Sequence, residues 1–218
     1  MKSEFNPVFE INREAVHRRM RLKTGTPVYK AVQEVYDTCL RKTAACVMYQ
    51  AVYLLGKNDH RITQPDLDGC SELLYCFITI GQPVLDVIDG HFEDGRYLEG
   101  YLINEMANEA VMSASNQLYH HVKQVLHNRG CRMTQRFSPG ECHLDLSCNK
   151  LVMEALESGF QVSATLTDQM MLNPPKSMLF LYGVDPDLPE GEKDRDCGDC
   201  QRMKCNYRLA QTKPITEL

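Results

Sequence analysis

The sequence predicts an α+β domain built on a largely antiparallel sheet, and three observations carry that prediction. Apolar runs of strand length alternate with helix-length stripes early in the chain. Three strand candidates then follow one another closely before a polar segment, a clustering that suits antiparallel pairing. With 218 residues and 43% hydrophobic content, the chain is long enough to bury one core and to carry at most a small appendage.

Residues 8–11 read as a short strand, after which Asn12 caps a helix to about residue 22, because an asparagine side chain accepts from the free amides of a first turn. Thr26 caps a second helix with Pro27 at its first position, where a missing N–H costs nothing. Val28, Val32, Val35 and Cys39 recur there at helical spacing, to about residue 42. Residues 45–55, rich in Val, Tyr and Cys, read as a strand. The unbroken apolar run at 73–80 is a second strand, expected to be buried on both faces.

Gly81 turns the chain into a helix marked by Val84, Val87 and Ile88. The longest helix follows, its stripe including Leu98, Leu102, Val111, Leu118 and Val122, and Gly130 supplies a left-handed stop. Residues 131–135 read as a strand and 146–157 as a helix. Further strands are expected at 161–165, 169–172 and 177–184.

Composition excludes several functions. No apolar run approaches the roughly 20 residues of a membrane helix, and the N-terminus lacks the apolar stretch of a signal peptide, so a cytoplasmic protein is expected. A net charge of -5 argues against nucleic acid. The only basic cluster, Arg18, Arg19 and Arg21, reads as a solvated helix face. Ten cysteines in a reducing compartment point to burial or metal binding, not disulfides; Cys39, Cys46, Cys70 and Cys76 lie among apolar neighbours and read as core.

Two motifs carry the chemistry. In Arg136-Phe137-Ser138-Pro139-Gly140, proline and glycine make a tight turn whose amides can face a ligand, while the guanidinium can take a carboxylate in bidentate fashion. Asn173-Pro174-Pro175-Lys176-Ser177-Met178 opens the last strand candidate. Together they resemble the activation (reactivation) domain of cobalamin-dependent methionine synthase, where an Arg-x-(Ser/Ala)-Pro-Gly turn holds S-adenosylmethionine and a Pro-x-x-Ser segment opens a nearby core strand. The resemblance is specific over 92–184. It implies a curved sheet wrapped by helices across 1–184, with Arg136 on the ligand's carboxylate and the backbone from Ser138 to Gly140 on its adenine or amino end.

Two positions depart from the family pattern. Glu141 stands where the family has a tyrosine between its two cofactors, and Met112 stands where the long helix offers an acidic side chain to the ligand's amino group. Asn108 or Asn116, one turn to either side, can hydrogen-bond there instead.

Residues 185–196, rich in Pro, Asp, Glu and Gly, read as a linker to a cysteine-rich tail, so that 185–218 forms a second region. Cys197, Cys200 and Cys205 have the spacing C-x2-C-x4-C in a segment with no core to fill, which predicts a metal centre, either zinc or an iron-sulfur cluster. Three thiolates leave a position for a fourth ligand, Cys142, Cys131 or Cys148, or for an open fourth iron site. His143 is a candidate lower ligand to cobalt. The resemblance implies an accessory protein for reductive reactivation of a corrinoid-dependent methyltransferase, binding S-adenosylmethionine and docking on a corrinoid-binding methyltransferase or truncated methionine synthase. The alternative is a non-catalytic metal- or corrinoid-binding protein that kept the fold and lost the S-adenosylmethionine site.

Overall fold

The computed structural model describes residues 1–141, 144–189 and 194. In chain order the elements are β1 (Lys2–Phe5), α1 (Arg13–Arg19), α2 (Pro27–Cys46), β2 (Gln50–Lys57), α3 (Pro65–Asp68), β3 (Glu72–Thr79), α4 (Pro83–Glu93), α5 (Tyr97–His127), β4 (Arg132–Met133), α6 (Cys148–Glu157), β5 (Thr165–Leu166), β6 (Leu172–Asn173) and β7 (Ser177–Asp185). Five strands form an antiparallel sheet in the order β1-β2-β3-β7-β4, curled into a half-barrel, and β5 pairs with β6 in a separate ladder. The α+β class with a curved antiparallel sheet is therefore observed.

The sheet is filled on both faces because its central strands carry apolar side chains at successive positions. β3 is buried at every residue but its first. One set of its side chains, Leu74, Cys76 and Ile78, meets Ala114, Leu118 and Val122 of α5. The opposite set, Leu73 and Phe77, meets Val152 and Leu156 of α6. Each fully buried apolar side chain of this size is worth about 1.5–3 kcal/mol, so the middle of the sheet anchors the domain. The N-terminal half of α5 packs with α1, α2 and α4 in a third cluster around Val32, Tyr36, Ile103 and Met106.

The caps behave as their chemistry requires. The Asn12 side chain accepts from the Ala15 amide at 3.0 Å, and Thr26 from Tyr29 at 3.2 Å. Gly130 takes φ 73 just past α5. Other expectations fail locally. Residues 8–11 form no strand: the Gln117 side chain takes both backbone groups of Val8, donating to its carbonyl and accepting from its amide, each at 2.8 Å. The first strand lies earlier, at Lys2–Phe5, paired with β2. Ala45 and Cys46 extend α2 instead of opening β2, and the short helix α3 had no apolar stripe to reveal it.

The basic cluster at Arg18, Arg19 and Arg21 is not uniformly solvated. Arg19 is buried, with its guanidinium on Glu105 at 3.0 Å and Glu109 at 2.7 Å and a further hydrogen bond to the Glu105 carbonyl. Helix α5 presents both carboxylates inward, and that burial is tolerable only because a cation meets them. Cys39, Cys70 and Cys76 are buried, as expected, and Cys46 is half-buried. Among the described residues, no helix is long and apolar enough to cross a membrane.

Candidate functional site

Arg136 lies between β4 and an isolated bridge that ties Phe137 to Leu181 of β7. This pairing sends Phe137 into the cluster with α6, whereas the Arg136 guanidinium sits over the Phe180 ring, 4.2 Å from its centroid. The side chain is 1% exposed. Its Nη1 donates to Ser115 Oγ at 3.0 Å, Nη2 to the Ser115 carbonyl at 3.2 Å, and Nε to Tyr182 Oη at 3.2 Å. The counter-charge is Asp194, whose Oδ2 lies 2.5 Å from Nη2 and whose Oδ1 accepts from Nε at 3.2 Å. Tyr182 Oη donates to the same Oδ1 at 2.7 Å, and the Arg136 amide donates to the Asp194 carbonyl at 2.8 Å.

Burial opposes the charge on Arg136, but Tyr182 and Asp194 outweigh it and hold its pKa above the ordinary arginine value. Burial also pushes the Tyr182 phenol well up; Arg136 opposes that rise and Asp194 adds to it. Tyr182 is therefore a neutral donor. Among the described residues, the Arg136 cluster consists of one cation, one carboxylate and neutral groups that orient both.

Two residues further on, the chain turns. Glu141 N donates to the Ser138 carbonyl at 3.0 Å, and Gly140 N to the Leu144 carbonyl at 2.8 Å. Gly140 has φ 82, and a Cβ there would stand 3.0 Å from Leu146 Cδ1, so both conformation and space ask for glycine. Ser138, Pro139 and Glu141 of this turn, together with Ser177, Met178 and Leu179 of β7, border a cleft of about 200 Å³. Its floor includes Leu146, Asn149 and Leu172.

The cleft follows the uncovered part of the β7 edge. Leu181 exchanges both backbone hydrogen bonds with Phe137, at 2.9 Å each, so its backbone faces away from β3. Alternation along an antiparallel strand turns the N–H and C=O groups of Leu179 and Ser177 to that same side. One polar atom in the cleft wall is orphaned: Ser138 Oγ is buried and has no hydrogen-bond partner among the described residues. Such atoms are rare, and a ligand or water is the ordinary way to satisfy one.

The two sequence motifs, far apart in the chain, are thus brought together across one cleft. No protein-family model and no curated protein matches the sequence. Among solved structures, the crystal structure of the MetH reactivation domain bound to AdoHcy matches with a TM-score of 0.62 and 14% identity, covering 88% of this chain and 80% of that one. The chain has the reactivation-domain fold.

Within that fold the expected site residues separate into groups. Arg136 is buried and already paired, while Ser138 and Glu141 border the cleft and Gly140 shapes its turn. Met112 is half-buried, and its carbonyl accepts from Ser115 Oγ at 2.9 Å, which places it one step from Arg136. Asn108 is engaged elsewhere: its Oδ1 accepts from Lys176 at 2.6 Å, as Asn104 Oδ1 does at 2.7 Å, so the second motif is pinned to α5. Burial lowers the Lys176 pKa and Glu105 opposes that shift. Asn116 is exposed.

The expected metal ligands Cys142, Cys197, Cys200 and Cys205, and also His143, lie outside the described residues. Among the described residues no group of three His, Cys, Asp or Glu side chains is placed to hold a metal. Sequence reading missed Ser115, Tyr182 and Asp194. The first two look like ordinary members of an amphipathic helix and a core strand, and Asp194 lies in a run whose composition reads as linker.

Proposed function

We propose that this chain is an accessory protein of the reactivation type, which binds S-adenosylmethionine at the junction of its two motifs and presents it to a separate corrinoid-binding methyltransferase. The observation that carries this reading is the cleft formed by the turn that follows Arg136 in the chain, where a glycine-dependent turn, an open strand edge and an orphaned Ser138 Oγ converge. An open edge offers paired backbone donors and acceptors, which suit a nucleoside base, and apolar neighbours such as Leu172 and Met178 suit its faces. The AdoHcy in the reactivation domain of like fold supports the ligand class. When bound, S-adenosylmethionine supplies an electrophilic methyl group, and this chain's residues hold and orient it.

Calorimetry tests the reading directly. Wild type binds S-adenosylmethionine, and Arg136→Ala weakens binding by about 1.5–3 kcal/mol, the range for a hydrogen bond to a charged group. Absence of wild-type binding at millimolar ligand overturns it.

The rival, a non-catalytic protein that kept the fold and lost the ligand, is favoured by one observation: Asp194 already occupies Arg136. If the site has degenerated, Met112→Glu with Glu141→Tyr raises S-adenosylmethionine affinity about tenfold; loss of affinity in that double variant rejects degeneration. The tail spacing supports one metal centre per chain, zinc or iron-sulfur, checked by anaerobic elemental analysis of the full chain before and after Cys197→Ser with Cys200→Ser.

A further inference from the structure

We infer that Asp194 is a resident carboxylate of an exchangeable carboxylate site: it holds Arg136 until the carboxylate of an incoming ligand takes its place. As applied to S-adenosylmethionine, this rests on the function proposed above; as applied to carboxylates in general, it stands on the Arg136–Asp194 pair alone. The Asp194 carboxylate spans Nε and Nη2 of Arg136, the side-on bidentate geometry in which a guanidinium recognises any free carboxylate.

Every other described group on Arg136 belongs to a regular element. Ser115 is on α5, and Tyr182 and Phe180 are on β7, so these contacts persist when Asp194 leaves. Asp194 itself belongs to no helix or strand. The Tyr182 hydroxyl, now given to Asp194 Oδ1, remains available to an oxygen of the newcomer.

A buried guanidinium left without counter-charge is costly, which makes exchange the favoured route and simple vacancy the unfavoured one. The same contact explains how a ligand-binding arginine can be 1% exposed: its binding face is covered by a carboxylate of the chain itself. The affinity of an external ligand is then reduced by the competition, and removing the competitor raises it.

The test uses the full chain, wild type and Asp194→Ala, with thermal unfolding and calorimetry. Asp194→Ala lowers the melting temperature, and sodium formate restores it saturably, whereas sodium chloride at equal ionic strength does not. Wild type shows no formate-specific shift. S-adenosylmethionine binds Asp194→Ala at least about tenfold more tightly than wild type, while 5′-methylthioadenosine, which lacks the amino-acid carboxylate, binds both equally.

If Asp194→Ala fails to fold, Asp194→Asn, which keeps the shape and an acceptor but not the charge, serves in its place. A folded variant that formate does not rescue overturns the inference, as does equal S-adenosylmethionine affinity in wild type and variant. Formate rescue without any S-adenosylmethionine binding overturns the proposed ligand and leaves the carboxylate site standing.

Discussion

Among the described residues two arginines are buried, Arg19 and Arg136, and their surroundings differ in a way that separates scaffold from proposed site. Arg19 meets two carboxylates, Glu105 and Glu109, both from the long helix α5 that the core holds in place. Among the described residues Arg136 meets one carboxylate, from a residue outside any regular element, while α5 and β7 supply it with only neutral partners. Removing the counter-charge from Arg19 means unpacking a helix. Removing it from Arg136 means displacing one residue. A buried ion pair is therefore not one kind of object: what matters is whether its charges are carried by elements that the core already fixes.

The strongest way to break this comparison is at Arg19. Arg19→Met leaves two carboxylates buried without their cation, and the expected loss is about 3–5 kcal/mol in a urea melt, or failure to fold. A loss under about 1 kcal/mol, in the range of exposed ion pairs, would show that Glu105 and Glu109 find other compensation. Asp194→Ala should cost less, about 2–3 kcal/mol, because Ser115, Tyr182 and the Phe180 face stay on the guanidinium. A cost equal to that of Arg19→Met would erase the distinction between the two sites.

Alkaline pH probes the packing around the thiols instead of the arginines. Burial raises the thiol pKa of Cys39, from an ordinary value of 9.0 to about 11, and also raises those of Cys70, Cys76 and Cys148. In the unfolded chain these thiols ionise first, so the unfolded state binds fewer protons above the ordinary value. Their contribution is present in full below pH 9.0 and is lost as pH rises towards 11. Denaturant midpoints should fall over that window; a flat profile would show that these thiols ionise in the folded protein as they do in the unfolded chain.

The smallest expected effect has the opposite sign. Ser138→Ala removes a buried hydroxyl that has no partner, so it should leave the ligand-free protein unchanged or up to about 1 kcal/mol more stable, while weakening S-adenosylmethionine binding. Destabilisation with unaltered binding would make Ser138 part of the scaffold, like Arg19.

Much of this architecture was legible in the residues themselves. Asn12, Thr26 and Pro27 start helices because capping is local chemistry, and the 73–80 run reads as a buried strand because a sheet covered on both faces needs no alternation. The turn at Ser138-Pro139-Gly140 was visible for the same reason, whereas the segment that opens β7 at Ser177 stood out by family resemblance. Local failures have local causes: Val8 looks strand-like, yet a side chain from α5 satisfies its backbone.

By itself, the sequence determined where the chain turns and which stripes are buried. Tertiary structure alone decided which charges meet. Arg19 reads as one of a solvated basic cluster until α5 brings Glu105 and Glu109 to it, and Asp194 reads as linker until it reaches Arg136 across 58 positions of chain. Periodicity and caps report the energetics of neighbours along the chain, within about a helical turn. The pairing of buried charges depends on distances in space, and no local pattern encodes those.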